Sequence, residues 1–349
     1  MIEQPVRFID RTSHQLGTDA VKAVSVGARR LAGMREVAFA EYSNGEHMRD
    51  RARGIRLRTL ADLDRHLATF ADSVERRGGT VHWAADGEEA NAIVAGIARA
   101  AGVEQVVKSK SMVTEEIELN EALERHGVDV VETDLGEFIV QLADDRPSHI
   151  IAPVLHKTRF EIGELFARKL AVPYTDDATE LNAIARRHLR SIFLSADMGI
   201  SGVNFAVAET GSVCLVTNEG NGRLTTTAPR IHVAVMGMER IVPTFADLGV
   251  MLEVLARSGT GQRLSVYTNI VTGPRRPDYP DGQEEFHVVV LDNGRSRILA
   301  GESGEILACI RCGACLNVCP VYRETGGHAY GDVYSGPIGA VPATSMRSP

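Results

Sequence analysis

Four of the five cysteines in this chain form one block near its C-terminal end. Cys309, Cys312, Cys315 and Cys319 are separated by two, two and three residues, and a proline follows the last of them. Two intervening residues allow a tight turn to aim successive thiolates at one cuboidal cluster, and this spacing is that of 4Fe–4S ligands. A glycine at position 313 relieves crowding where the backbone passes close to sulfide. The spacing therefore predicts that these four cysteines bind a 4Fe–4S cluster.

Zinc and disulfide bonds are the competing uses of these cysteines. Structural zinc sites usually combine two separated ligand pairs, often with histidine, rather than one continuous run. We expect this chain in the cytoplasm, because its first ten residues include Glu3, Arg7 and Asp10 and lack the apolar core of a signal peptide. Disulfides are rare in that reducing compartment. The fifth cysteine, Cys214, lies in an apolar run and is interpreted as a buried residue on a strand.

The composition restricts the classes of function. The chain has 349 residues, of which 44% are hydrophobic, enough for two domains or for one large domain with appendages. A formal net charge of −8 disfavours a general nucleic-acid-binding role. No apolar run approaches the roughly 18 residues that a membrane span requires. The basic run at residues 49–58 is interpreted as a solvated helix face.

Alternating strand and helix patterns predict an α/β domain with parallel βαβ units. Strands are predicted at residues 80–84, 105–108, 128–133, 204–216 and 231–236, and two more at 265–271 and 286–291 are expected to close the sheet. We predict an N-terminal helical arm at residues 1–58, an α/β domain at 59–304 and a cluster-binding segment at 305–349. Because ligands bind beyond the carboxyl ends of such strands, segments 109–111, 132–134 and 156–158 are of interest.

One predicted substrate-binding segment lies at a strand-to-helix junction. Lys108, Ser109, Lys110 and Ser111 bring two ammonium groups, two hydroxyls and a helix N-terminus together, which suits an anion. The alternative is a solvated loop whose serines cap a helix.

A second predicted substrate-binding segment is rich in glycine. Thr210 and Gly211 follow one predicted strand, and Asn218 and Arg223 lie in the next turn. Backbone N–H groups and a cation in such turns can bind a carboxylate or a phosphate. An equal alternative is a β-hairpin turn that needs glycine only for its positive φ.

Two residues are predicted to be catalytic. Glu209 is a carboxylate at an apolar strand end, where a raised pKa would make it a base or a nucleophile. His156, next to Lys157 at a predicted strand end, is a candidate acid or base. An ion pair for Glu209 and a hydrogen-bonded structural role for His156 are the alternatives.

With these segments in place, the chain resembles the lactate utilization protein B family of iron–sulfur proteins. The resemblance runs over about residues 50–340 and rests on segments 107–113, 205–212, 216–224, 273–277 and 291–297 and on the cysteine block through residue 331. It implies a LUD domain with a fold like that of the superfamily of CoA-transferases, ribose-5-phosphate isomerase and glucosamine-6-phosphate deaminase.

The resemblance also implies a function and partners. Such a protein works with lactate utilization proteins A and C to oxidise L-lactate to pyruvate, and this component carries the clusters. With a small carboxylate such as L-lactate as the substrate, Lys108, Lys110 and Arg223 become candidate orienting cations, and Glu209 or His156 a candidate base.

The sequence departs from the family pattern in its cysteines. Family members continue into a second cysteine block, so the resemblance implies two clusters where this sequence allows one. In two-cluster ferredoxins the fourth cysteine of a block ligates the other cluster. Three alternatives therefore stay open: a truncated chain, a Cys319 that turns back to complete one cluster, or a disordered segment without a cluster. Two other functions are kept beside electron transfer. One is a CoA-transferase-like or isomerase-like enzyme with Glu209 as nucleophile, and the other a scaffold that carries clusters without catalysis.

Overall fold

A computed structural model describes residues 8–340, so the outer parts of the predicted segments 1–58 and 305–349 lie outside the described residues. The strands are β1 (Thr80–Ala84), β2 (Gln105–Lys108), β3 (Asp129–Glu132), β4 (Met198–Gly202), β5 (Phe205–Val207), β6 (Ser212–Thr217), β7 (Ile231–Gly237), β8 (Ile241–Val242), β9 (Tyr267–Val271) and β10 (Glu285–Leu291). The helices are α1 (Phe8–Gln15), α2 (Asp19–Ala40), α3 (Gly45–Ala61), α4 (Leu63–Arg76), α5 (Gly87–Ala100), α6 (Met112–Glu116), α7 (Leu119–Glu124), α8 (Leu135–Leu142), α9 (Arg159–Leu170), α10 (Ala178–Ser195), α11 (Asn221–Thr227), α12 (Phe245–Thr260), α13 (Arg295–Ala300), α14 (Ala314–Val318), α15 (Pro320–Thr325) and α16 (Gly336–Ala340).

Six strands form a parallel sheet in the order β1–β10–β7–β4–β2–β3. Its strands are rich in valine and isoleucine because helices cover both faces of the sheet. On one face α5, α6 and α7 pack on residues such as Val106 and Val233. On the other face α4 packs Phe70 and Val74 against Val288. The predicted parallel α/β architecture is confirmed.

Four strands form a second sheet in the order β8–β5–β6–β9. The expectation that residues 265–271 and 286–291 close one sheet is wrong, because β9 pairs antiparallel with β6 while β10 lies between β1 and β7 in the parallel sheet. After β6 the chain enters α11 and does not turn back, so the hairpin alternative for residues 217–223 is wrong as well. The expectation that His156 ends a strand is also wrong, since it lies between α8 and α9.

The N-terminal helices link the sheets to the cysteine block. Helix α2 packs on α12, α14 and α15, and α3 packs on α12 and crosses the predicted boundary at residue 58. The interpretation of residues 49–58 as a solvated face is wrong for Arg56, which is buried. Its guanidinium donates to the carbonyl of Glu239, to that of Ile241 at 2.6 Å and to that of Leu307 at 2.9 Å. No helix within residues 8–340 is long and apolar enough to cross a membrane.

The cysteine block is folded and docked on the loop before α9. The Tyr322 hydroxyl donates to the Ser148 carbonyl at 2.6 Å. His149 accepts the Ile151 N–H on Nδ1 and therefore donates from Nε2 to the Asn317 side chain at 3.0 Å. Burial lowers the pKa of His149 to about 4, so the ring is neutral and keeps this pattern. The alternative of a disordered segment does not describe residues 305–340.

Candidate functional site

A cavity of about 570 Å³ opens at the carboxyl ends of the parallel strands. Ser109, Lys110 and Ser111 line it directly after β2, and Asp134 lines it after β3. Helix α12 closes another side, and the cysteine block contributes residues 311 and 312 to the wall. The cavity lies where parallel α/β sheets bind ligands, as expected for the first two of the three strand-end segments.

A buried network of lysines and glutamates lies behind this wall. The Lys108 ammonium is 2.7 Å from Glu132 Oε1 and 3.1 Å from Glu115 Oε1, and it does not line the cavity. Lys110 lines the cavity but is paired with Glu137. Burial raises the pKa of Glu132 to about 7, with the Glu115 and Glu137 carboxylates adding to the effect and Lys108 opposing it. The two lysines are thus held by carboxylates.

Glu219 is a cavity-lining carboxylate that our sequence analysis did not select. Burial raises its pKa to about 7, the Asp134 carboxylate adds to this rise, and the Leu135 N–H, which donates to Oε2 at 3.2 Å, opposes it. A carboxylate with a pKa near neutrality can accept or donate a proton at physiological pH. Its one sequence signal was its place in the glycine-rich turn between Asn218 and Arg223.

A second buried network joins the cavity to the cysteine block. Arg295 donates to Glu239 Oε2 at 2.9 Å and to Glu116 Oε2 at 2.7 Å. Burial would raise the pKa of Glu239, but the surrounding guanidinium groups, Arg295 first, lower it to about 2. The network consists of four arginines and two glutamates and so carries two excess positive charges: Arg56, Arg240, Arg295, Arg311, Glu116 and Glu239.

The backbone of the cysteine block is shaped for its sulfurs. Arg311 and Gly313 both have positive φ, at 59° and 76°, and the Arg311 N–H donates to Cys309 Sγ at 3.3 Å. Burial raises the pKa of Cys312 to about 11, and the Cys309 and Cys315 thiols add to this rise.

The fourth cysteine has its own donor. The Tyr322 N–H donates to Cys319 Sγ at 3.5 Å, and Tyr330 packs in the same apolar cluster as this cysteine. Backbone donors around cysteine sulfur are among the groups that tune iron–sulfur clusters.

The block fits an iron–sulfur cluster better than zinc. Thiolates around tetrahedral zinc, at Zn–S distances of about 2.3 Å, lie roughly 3.8 Å apart. Within the part of the chain that the structure describes, no three cysteine sulfurs lie within 4.8 Å of one another. A 4Fe–4S cluster held by thiolates is anionic, and the two excess positive charges of the buried network lie beside Cys309. The separation of the sulfurs therefore favours the cluster over zinc, whereas the positive charge nearby would suit either anionic thiolate centre.

The structure separates the predicted site residues into two groups. Ser109, Lys110, Ser111 and Asn218 line the cavity, and Asn218 is held there by Gln262 and the backbone of residue 266. The others lie elsewhere and are not part of its wall: Lys108, His156, Glu209, Thr210, Gly211 and Arg223.

The residues outside the wall have structural partners or face solvent. Glu209 Oε1 accepts the Phe245 N–H at 2.7 Å at the start of α12, and Gly211, at φ 69°, packs on α4. His156 lies between Ser148 Oγ at 2.8 Å and Asp145 Oδ2 at 3.0 Å. The hydroxyl of Thr210 pairs with that of Ser212, and Arg223 is exposed. Their catalytic or binding roles stay predictions.

Comparison with known proteins decides the family. A family model of the LUD domain matches residues 67–291, and a model of the 4Fe-4S dicluster domain matches residues 305–348. Lactate utilization protein B of Bacillus licheniformis is 51% identical over 337 residues, which cover 96% of this chain and 71% of that protein. This chain belongs to the lactate utilization protein B family. The resemblance, the LUD fold and the 4Fe–4S segment expected from the sequence are confirmed.

Other relatives agree with membership of the lactate utilization protein B family. Lactate utilization protein B of Bacillus subtilis is 50% identical, over 96% of this chain and 70% of its own length. A protein of Escherichia coli named uncharacterized electron transport protein YkgF is 49% identical, over 92% of this chain and 67% of its own. A crystal structure of a DUF162 family protein from Deinococcus radiodurans aligns with 66% of this chain and 98% of its own at 13% identity and a TM-score of 0.37.

Proposed function

We propose that this protein is the iron–sulfur electron-transfer component of a system that oxidises L-lactate to pyruvate. The names of its relatives and its 4Fe–4S segment support this proposal. The observation that carries it is the shared wall of the cavity, to which both the strand ends and Cys312 contribute. A substrate in this cavity lies against the backbone that presents a cluster ligand, so substrate and electron acceptor belong to one site.

The cysteines of the block are the proposed cluster ligands. Cys309, Cys312 and Cys315 share one cluster in this proposal, since two residues separate each from the next, the spacing of 4Fe–4S ligands. Cys319 completes this cluster or serves the second one, the role of the fourth cysteine in two-cluster ferredoxins. One-electron transfer is the chemistry that a bound 4Fe–4S cluster supplies.

The oxidation of L-lactate to pyruvate releases two electrons and two protons. Glu219, a carboxylate in the cavity wall whose pKa lies near 7, is the proposed acceptor of one of these protons, and the other passes to solvent. Lactate utilization proteins A and C are the proposed partners that receive the two electrons, one at a time. In this proposal Ser109 and Ser111 supply hydroxyl groups that orient the substrate beside Asn218.

Anaerobic purification of the chain tests the proposal. Iron, acid-labile sulfide and EPR spectra are measured for the wild type and for serine variants of the four block cysteines, with Cys214→Ser, at a fully buried position on β6, as the matched control. We expect the Cys309, Cys312 and Cys315 variants to lose the four-iron signal and the Cys214 variant to keep it. Reduction of the cluster by L-lactate in the presence of proteins A and C, seen as the appearance of an EPR signal, supports the proposal. A loaded chain that L-lactate never reduces, with both partners present, contradicts it.

A further inference from the structure

Two guanidinium groups in the cavity wall have no hydrogen-bond acceptor among residues 8–340. Arg240 and Arg311 are 7% and 8% exposed, and both line the cavity. Arg240 Nε and the Nε and Nη1 atoms of Arg311 are buried without a partner. Glu239 Oε1 is the nearby carboxylate oxygen, at 3.6 Å from Arg240 Nε and 3.8 Å from Arg311 Nη2, which is too far for a hydrogen bond, and it is itself without a hydrogen-bond partner among the described residues. Its other oxygen, Oε2, accepts from Arg295 at 2.9 Å.

Buried guanidinium donors without acceptors are unusual, because desolvating an N–H group is costly when nothing replaces its bond to water. The planar fork of arginine matches the two oxygens of a carboxylate. Neighbouring elements hold both groups in place, since Arg311 stacks on the Tyr334 ring at 4.3 Å and Arg240 follows β7. Both guanidinium groups are therefore held in the cavity wall, where a small side-chain shift would present their donors to an acceptor in the cavity.

The same wall offers an acceptor without a donor. The amide oxygen of Asn221, at the start of α11, is buried and has no hydrogen-bond partner among the described residues. A ligand that satisfies the wall carries an anionic group for the arginines and a hydroxyl for Asn221. A 2-hydroxy carboxylate has both groups on adjacent carbons.

We propose that Arg240 and Arg311 bind the carboxylate of a small 2-hydroxy acid in the cavity, and that Asn221 accepts the hydrogen bond of its hydroxyl. This inference rests on the proposed function and names the groups that would recognise the substrate. The 2-oxo product keeps the carboxylate contacts and loses the hydroxyl contact. The acidic side chains of Asp134 and Glu219 in the same wall disfavour more highly charged anions such as phosphate.

The competing cations are less suited to this role. Lys110 is paired with Glu137, and Lys108 lies outside the wall within a cage of carboxylates. Arg311 has a further property, since it lies within the cysteine block and its own N–H donates to Cys309 Sγ. A carboxylate bound there contacts the residue that shapes the cluster loop.

Calorimetric titration of the anaerobic, cluster-loaded chain with L-lactate and with pyruvate tests the inference. We expect Arg240→Gln and Arg311→Gln each to weaken the binding of both acids by roughly ten- to a hundredfold, the range for a charge-assisted hydrogen bond. Asn221→Ala is expected to weaken L-lactate binding and to leave pyruvate binding nearly unchanged. Arg190→Gln, at an exposed position on α10, is the control and should bind as the wild type does. Inorganic phosphate is expected not to compete.

Iron content is measured for every variant, because the arginines also lie near the cluster. Arg240→Lys and Arg311→Lys keep the charge and lose the fork, so they should retain iron and still bind both acids more weakly. Unchanged affinity in the glutamine variants overturns the inference, and so does competition by phosphate or a wild type that binds neither acid. Reduction of the cluster by L-lactate with proteins A and C, measured in parallel as the appearance of an EPR signal, reports on the proposed function independently of these binding results.

Discussion

Replacing Glu239 with glutamine removes a negative charge from a network that already has two excess positive charges. Glu239 is 1% exposed and holds Arg295 at 2.9 Å. Breaking a buried ion pair by removing one partner costs about 3–5 kcal/mol, because the remaining charge is left without compensation. An unfolding entropy of about 2.1 cal/mol/K per residue gives about 0.7 kcal/mol/K for this chain, so Tm should fall by about 4–7 °C.

Differential scanning calorimetry of the anaerobic protein measures this shift. The matched control is Glu284→Gln, because Glu284 forms an ion pair of similar length, 2.7 Å to Arg275, at a half-exposed position. Exposed pairs contribute at most about 1 kcal/mol, so this variant should lose no more than about 1 °C. A Glu239 variant that unfolds at the same temperature as its control would refute the claim that the buried network is charge-compensated by Glu239.

Three further substitutions test other parts of the structure. Gly259→Ala would place a Cβ 2.9 Å from the Cys312 carbonyl oxygen, so we expect less iron per chain and a Tm lower by about 1–4 °C. The control is Gly249→Ala on the same helix, where an added Cβ would have no neighbouring atom within 4 Å, so this variant should be neutral or slightly stabilising. Glu219 has a folded pKa of about 7 against an ordinary 4.5, so its contribution to the unfolding free energy falls as pH rises through that range, by on the order of 3 kcal/mol. Urea unfolding at pH 5 and pH 8 should show this loss of stability in the wild type and in Glu164→Gln, a control at an exposed position, but not in Glu219→Gln. Equal pH dependence of the unfolding free energy in all three proteins would contradict the raised pKa. Lys108→Met leaves buried carboxylates unpaired and should lower the unfolding free energy by about 3–5 kcal/mol in the same assay at pH 8. The control Lys169→Met breaks an exposed pair with Asp144 and should lower it by less than about 1 kcal/mol. Equal losses of unfolding free energy would argue against the buried cage of carboxylates around Lys108.

Local patterns were sufficient to predict strands whose two faces are both buried. The limits predicted for β1 and β2, residues 80–84 and 105–108, agree with the structure because apolar runs in a parallel sheet end at clear turn signals. The sheet that β9 joins could not be predicted, since alternation indicates which side chains face inward and says nothing about the neighbouring strand. Strand β4 was missed because Gly199 and Gly202 suggest a loop. Gly199 is needed there because the Thr225 carbonyl lies where its Cβ would be.

Part of the candidate site could be read from strand ends, and part depends on tertiary burial. Ser109 and Ser111 were selected because polar residues after a buried strand reach the edge where ligands bind. Glu219, Arg240 and Arg311 were missed because an ordinary charged residue becomes informative only when the fold buries it, and for the two arginines when it also leaves side-chain nitrogens unpaired. The available signals were the place of Glu219 in the glycine-rich turn and an arginine between two cysteines of the block, where a small residue would have served the turn equally well.

In the proposed binding mode, Arg311 would couple ligand binding to the oxidation state of a cluster held by the cysteine block. Its guanidinium faces the cavity, while its backbone N–H donates to Cys309 Sγ. Reduction of a cluster held by the cysteine block would add one negative charge close to Arg311 and Arg240, so it would weaken their attraction for a carboxylate in the cavity. Because coupling between two sites is reciprocal, a bound carboxylate must lower the reduction potential by the corresponding free energy. Transfer of an electron to the cluster would therefore favour release of an anionic product. Departure of that product would raise the reduction potential again and so stabilise the reduced cluster until a partner accepts the electron.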